Sequence, residues 1–228
     1  MSALVDFAVP RYEIAEVVVA APESGPGNWA GAASCVFVNG IFWLAYRLRR
    51  PLDSGRGVGV VVAKSSDGLN FKPVCEVSRE AFGAASLERP VIVPTDFGWR
   101  LYLSCATPNS KHWWIVALDA QRPEELPFGD RHLVLAGDDQ WAVKDPVIIR
   151  GPEGWRMWVC CHPLADRGQE DRMITRYATS VDGIRWRDLP PGYPSGVTCW
   201  RRHRDTSGTA SGCRWTWRPT RPASGPRC

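Results

Sequence analysis

Three stretches of the chain place apolar residues on either side of a short polar reversal: Cys35-Val-Phe-Val-Asn-Gly-Ile-Phe-Trp43-Leu-Ala-Tyr46, Val91-Ile-Val-Pro-Thr-Asp-Phe-Gly-Trp99-Arg-Leu-Tyr102 and Val147-Ile-Ile-Arg-Gly-Pro-Glu-Gly-Trp155-Arg-Met-Trp158. Each reads as an apolar strand, a turn rich in Asn, Asp, Gly or Pro, and a second strand whose aromatics share a face, which is an antiparallel pair. Trp43, Trp99 and Trp155 follow at intervals of 56 residues, and Tyr46, Tyr102 and Trp158 keep the same phase. A third strand and its exit turn also recur. Ala63-Lys-Ser65-Ser-Asp67-Gly68-Leu-Asn-Phe71 matches Ala178-Thr-Ser180-Val-Asp182-Gly183-Ile-Arg-Trp186, with Val116 to Asp119 as a degenerate counterpart between them. The Asp-Gly pair tolerates left-handed backbone and reverses the chain before the aromatic that opens a fourth strand.

Four strands repeating at about 50 residues, with no long helical period anywhere, predict an all-β chain of β-propeller architecture. The expected form is the five-bladed type with three blades present, at about 28–80, 81–137 and 138–189, preceded by a lead-in strand and loop over 1–27. From Pro190 the alternation stops. Val197 is the only aliphatic β-branched or Leu-type residue up to Cys228, Lys and Glu vanish, and Arg, Trp, Cys, Pro, Ser, Thr and Gly dominate. That composition predicts an irregular or disordered tail. It is also what out-of-frame reading of a GC-rich gene produces, so the expectation is a propeller truncated after its third blade.

Charge is spread unevenly along the chain. The net charge is +4, but residues 190–228 hold seven Arg and one Asp, leaving residues 1–189 at −2. The body therefore gives no reason to expect nucleic acid, and the basic Cys199-Trp-Arg-Arg-His-Arg patch is a weaker reading than a solvated tail. No run approaches the roughly 18 apolar residues of a membrane span, so no membrane partner is expected. Without a basic start and apolar core at the N-terminus, the expected location is cytoplasmic and the eight cysteines are expected to be thiols. Cys160-Cys161-His162 has no second ligand pair at metal spacing, so neither a metal nor another cofactor is expected. The twelve Trp are read first as core and second as sugar-stacking surfaces. Oligomeric state is left open by the sequence.

In a propeller the innermost strands line a central funnel, which makes the start of each first strand the place to look for chemistry. By the 56-residue register these are Ala32-Ala33-Ser34, Glu88-Arg89-Pro90 and Lys144-Asp145-Pro146. With Lys144-Asp145-Pro146 before an apolar strand and Gly-x-Trp-x-x-Trp/Tyr, Leu87-Glu88-Arg89-Pro90, and Ser-x-Asp-Gly-x-x-Phe/Trp closing a blade, residues 28–189 resemble the five-bladed glycoside hydrolases and glycoside phosphorylases, a group that includes families 32, 43 and 130. The resemblance implies a carbohydrate or glycoside substrate, and inner-strand carboxylates acting as base or nucleophile, transition-state stabiliser and general acid. Cleaving a glycosidic bond needs one carboxylate to assist at the anomeric carbon and another to protonate the leaving oxygen.

On that reading Asp145 resembles the stabiliser or base and Glu88 the acid, with a structural Glu88–Lys144 ion pair as the alternative. Arg89 and Lys144 would lower the pKa of a nearby carboxylate and bind hydroxyl or phosphate groups. Arg47, Lys111, His112 and His162 are further funnel candidates from the loops after second strands, and Trp29 is a candidate for stacking on sugar. Blade 1 departs from the pattern, with Ala33 where the group carries its first aspartate. That departure puts a carbohydrate-binding propeller without catalysis beside the hydrolase reading. A sialidase-like enzyme ranks third, because Ser180-Val-Asp-Gly-Ile-Arg-Trp186 only approaches that family's Asp-box.

Overall fold

A computed structural model of the chain describes residues 12–165, 168 and 172–188. The expected tail from Pro190 lies outside the described residues. Three four-stranded antiparallel meanders follow one another in chain order. The first comprises β1 (Trp29–Val38), β2 (Ile41–Arg49), β3 (Gly57–Ser65) and β4 (Lys72–Ser78). The second comprises β5 (Leu87–Thr95), β6 (Gly98–Ala106), β7 (Trp113–Ala120) and β8 (Asp130–Leu135). The third comprises β9 (Trp141–Gly151), β10 (Gly154–Pro163), β11 (Ile174–Ser180) and β12 (Arg187–Asp188). Ahead of β1, residues 12–28 hold a 3-10 turn at Tyr12–Ile14 and loop. The lead-in strand expected within 1–27 is not among these described residues.

The sheets stack as consecutive blades, with the first strands β1, β5 and β9 side by side. Both faces of the second sheet are covered, which is why β6 is buried along almost its whole length. Leu101, Leu103 and Cys105 pack against Ala45, Val60, Val62 and Val77 of the first sheet. On the opposite face Tyr102, Ile115 and Ala117 pack against Trp155, Met157 and Val159 of the third. At about 1.5–3 kcal/mol for each large aliphatic side chain removed from water, these two seams dominate the cohesion of the stack. The far face of the third sheet is different: Val147 and Ile149 stay about half exposed.

The blade repeat has a slip that the tryptophans conceal. Each first strand carries a β-bulge at the same place, between Gly31 and Ser34, Glu88 and Val91, and opposite Trp158 and Cys160. The residue in left-handed backbone there is Ala32 (φ 52°), Arg89 (φ 34°) and Asp145 (φ 54°). Third-strand pairing agrees, because Ser65, Ala120 and Ser180 face Phe42, Trp99 and Trp155 across the ladder. The spatial repeat is therefore 57 residues from the first blade to the second and 56 from the second to the third. Phe42, not Trp43, is the counterpart of Trp99 and Trp155. Because successive strand residues point to opposite faces, Trp43 turns towards the second sheet and meets Trp99 at 5.0 Å between ring centroids. The same slip moves the blade-1 counterpart of Asp145 from Ala33 to Ala32.

The Ser-x-Asp-Gly repeat is a turn device. Ser65 Oγ accepts from the N–H groups of Asp67 and Gly68, while Asp67 Oδ1 accepts from Leu69 and Asn70 at 2.9 and 2.8 Å. Ser180 and Asp182 reproduce the pattern on Gly183, Ile184 and Arg185. These backbone bonds, with the Ser65 hydroxyl and the Asn70 amide, hold Asp67 well below the usual carboxylate range. Side chains so engaged close the turn before the fourth strand, which accounts for the motif without a catalytic role.

Candidate functional site

The three first-strand bulges converge on a cluster of charges that joins all three blades. Glu88, from the second, is at its centre. Its Oε1 lies 2.7 Å from Arg47 and 3.2 Å from Arg56, both of the first blade, and its Oε2 accepts from Lys144 Nζ of the third at 2.7 Å. The Glu88 side chain is only 10% exposed and that of Arg47 8%. Burial opposes the Glu88 charge, but Lys144, Arg47 and Arg56 outweigh it and hold the carboxyl below its ordinary value of 4.5. The Glu88–Lys144 pair anticipated as the structural alternative is thus present, and it is reinforced by two arginines.

Lys144 connects the two acidic residues, because its Nζ is also 3.3 Å from Asp145 Oδ2. Asp145 meets Arg89 Nε at 3.9 Å and is otherwise less engaged than Glu88. Its backbone is pinned: the Asp145 N–H donates to Ser104 Oγ of the neighbouring blade at 2.9 Å. A different inter-blade bond ties Ile92 N–H of β5 to Ser34 Oγ of β1. A left-handed φ at a non-glycine residue costs about 1–3 kcal/mol and persists where surrounding contacts over-determine it. Here the cross-blade hydroxyl bond and the bulge hold it.

No protein-family model and no curated protein sequence matches the chain. Solved structures do. A family 117 glycoside hydrolase of the marine bacterium Zobellia galactanivorans superposes with a TM-score of 0.54 at 16% identity, over 72% of this chain and 56% of that one. A β-xylosidase gives 0.52 at 13%, over 72% and 60%, and a family 43 enzyme of Xanthomonas citri in complex with xylose gives 0.51 at 11%, over 70% and 55%. The fold is that of the β-propeller glycoside hydrolases. The chain spans little more than half the length of these neighbours.

Within this propeller the sequence-predicted residues divide into two groups. Glu88, Asp145, Lys144, Arg89 and Arg47 come together as described. Trp29 joins them through Arg47, whose guanidinium carbon lies 4.4 Å from the indole centroid. His112 stands in the β6–β7 loop, with Nδ1 2.8 Å from Thr107 Oγ1, an internal tie of that loop. Lys111 beside it is exposed. His162 pairs across the ladder with Ala142 near the end of β10.

Two members of the cluster were not legible from the register. Arg56 lies just before β3 in left-handed backbone (φ 56°) and reaches Glu88 from outside the first strands. Trp113 opens β7 and carries Lys144 Nζ at 4.7 Å from its ring centroid. The only sequence signal for Arg56 is its place between Gly55 and Gly57, which marks a tight turn but not what the arginine points at. Among the described residues no group of three or more His, Cys, Asp or Glu is placed to hold a metal ion. Among them, too, no helix is long and apolar enough to cross a membrane.

Proposed function

We propose that this protein is a glycoside hydrolase-like propeller that holds a carbohydrate against the bulged ends of its first strands, with low or no turnover by this chain. The observation that carries the reading is Asp145. It is a carboxylate fixed by a left-handed bulge where blades meet, and its oxygens lie beyond hydrogen-bond distance of any cation except Lys144. A rigid carboxylate of this kind suits stabilisation of positive charge developing at an anomeric carbon. Trp29, Arg47, Arg89, Lys144, His112 and His162 are proposed as the surrounding substrate-binding side chains.

A general acid must hold a proton at working pH, and three cations keep Glu88 ionised. Glu88 is accordingly assigned the anchoring of Lys144, Arg47 and Arg56 rather than proton donation, which withdraws the acid role that the family resemblance implied for it. The second reading, binding without cleavage, is favoured by Ala32, which puts a methyl group where the third blade has Asp145. Thermal stabilisation by a panel of mono- and oligosaccharides, with chromatographic recovery of each ligand, tests both readings. A stabilising sugar recovered intact supports binding alone. Turnover that survives purification and is lost in Asp145→Asn supports the hydrolase reading. If no sugar in the panel shifts the melt, the carbohydrate assignment is wrong.

A further inference from the structure

The cluster contains more positive charge than its own acids neutralise. Arg47, Arg56, Arg89 and Lys144 surround two carboxylates, Glu88 and Asp145. Two of the four cations are closely paired and little exposed, Arg47 being buried and Lys144 mostly so. The other two are not. Arg56 is 42% exposed and reaches Glu88 only at 3.2 Å, behind Arg47; Arg89 is 51% exposed and comes no nearer than 3.9 Å to Asp145. Both sit in left-handed backbone, a conformation that arginine gains nothing from by itself. At Arg89 that backbone belongs to the bulge shared with Ala32 and Asp145, and at Arg56 to the tight turn before β3, so the fold fixes where both side chains start.

A second, independent observation concerns orphan donors. Arg47 Nε and Arg56 Nε are both buried atoms without a hydrogen-bond acceptor. Buried polar groups are overwhelmingly satisfied, so these two donors leave the neighbouring arginines short of acceptors among the described residues. Guanidinium groups present several donors in a plane, which matches the paired oxygens of a carboxylate, sulfate or phosphate better than a lone hydroxyl. The half-buried indole of Trp29 lies 4.4 Å from Arg47 and supplies flat apolar surface of the kind that packs on a sugar ring, while Trp113, buried in the core, backs Arg56 at 6.0 Å.

From this arrangement we infer that the carbohydrate taken by this site carries an oxyanion, a carboxylate, sulfate or phosphate on the sugar, seated on Arg56 and Arg89. The inference rests on the carbohydrate reading above and narrows it from sugars in general to acidic sugars. A neutral sugar leaves the excess cations unmatched. An acidic one balances them.

The test is a set of matched titrations by calorimetry and thermal shift on the full chain, at low and at physiological salt. Glucuronic acid, glucose 6-phosphate and a glucose sulfate are compared with glucose, and galacturonic acid with galactose; inorganic phosphate and inorganic sulfate serve as separate arms. The expected result is at least one acidic sugar bound tenfold or more tightly than its neutral parent, with the preference falling as salt rises. Arg56→Gln and Arg89→Gln should each remove most of that preference, while Arg89→Lys retains part of it. Circular dichroism of the variants confirms that they fold.

Equal binding of acidic and neutral sugars overturns the inference and leaves the carbohydrate reading standing. Binding of no sugar of either kind removes the carbohydrate reading itself. Inorganic phosphate or sulfate binding as tightly as the best acidic sugar shows an anion site without sugar recognition, which also overturns the inference. So does a charge preference untouched by both glutamine variants.

Discussion

Replacing Glu88 by Gln exchanges one carboxylate oxygen for an NH2 group and removes one charge, and so withdraws the counter-ion shared by Arg47, Arg56 and Lys144. Breaking a buried ion pair by neutralising one member costs about 3–5 kcal/mol, because the remaining charge stays in a poorly solvated place. Arg47 and Lys144 belong in that class, with side chains 8% and 14% exposed. Arg56, being much more open, adds at most about 0.2–1 kcal/mol. Gln retains one carbonyl acceptor and the side-chain shape, and Asp145 still faces Lys144, so the lower end of the range, about 3 kcal/mol, is expected. For a chain of this size about 2–4 °C of melting temperature corresponds to each kcal/mol, which puts the loss at roughly 6–12 °C.

The folded-state pKa of Glu88 is lowered, so its contribution is fully present above the ordinary value of 4.5 and is lost as pH falls through the folded value. Wild type and Glu88→Gln should therefore differ most at neutral pH and converge in acid. Differential scanning fluorimetry of both proteins between pH 7 and pH 3 measures this. A shift below about 1 °C at neutral pH, or a difference that does not narrow on acidification, would refute the account of Glu88 as the neutralising hub.

Tyr102→Phe removes a buried hydroxyl that donates to the Gly183 carbonyl at 2.8 Å and helps seat the third blade's turn on the second. It should cost about 1–1.5 kcal/mol and raise amide exchange across residues 180–186, read by hydrogen–deuterium exchange; unchanged exchange there would count against that seam. Burial pushes the Cys105 thiol up to about 12 and that of Cys75 to about 11, so both should resist iodoacetamide at pH 8 until denaturant is added. Rapid native-state labelling of Cys105, by mass spectrometry, would contradict its place in the inter-blade core.

The repeat was readable because its signals are local. A strand that alternates, an Asp-Gly reversal and a Ser-x-Asp-Gly exit turn each depend on neighbours within a few residues, and the structure uses Ser65, Asp67, Ser180 and Asp182 in that local way. The first-strand residues were legible as a group for the same reason, since a polar pair before an apolar strand stands out in blades two and three. In blade one it does not: Ala32-Ala33 offers no polar marker, and a tryptophan one position out of phase drew the alignment with it. A period-two structure turns a single-residue error into a wrong face, so Trp43 packs on the second sheet where the register had placed it with Trp99 and Trp155.

Short-range patterning specifies the kind of object this is: antiparallel four-stranded units of one β class, repeated, with carboxylates at the start of two first strands. Alternation and turn chemistry act over short range, and they suffice for that. What those carboxylates meet depends on how the blades come together. Arg47, Arg56 and Lys144 reach Glu88 from two other blades, across 41, 32 and 56 residues of chain, and it is their summed field that separates a held, ionised Glu88 from the less encumbered Asp145. Fields of this kind depend on distance in space and on burial, and neither is written in the spacing of residues along the chain.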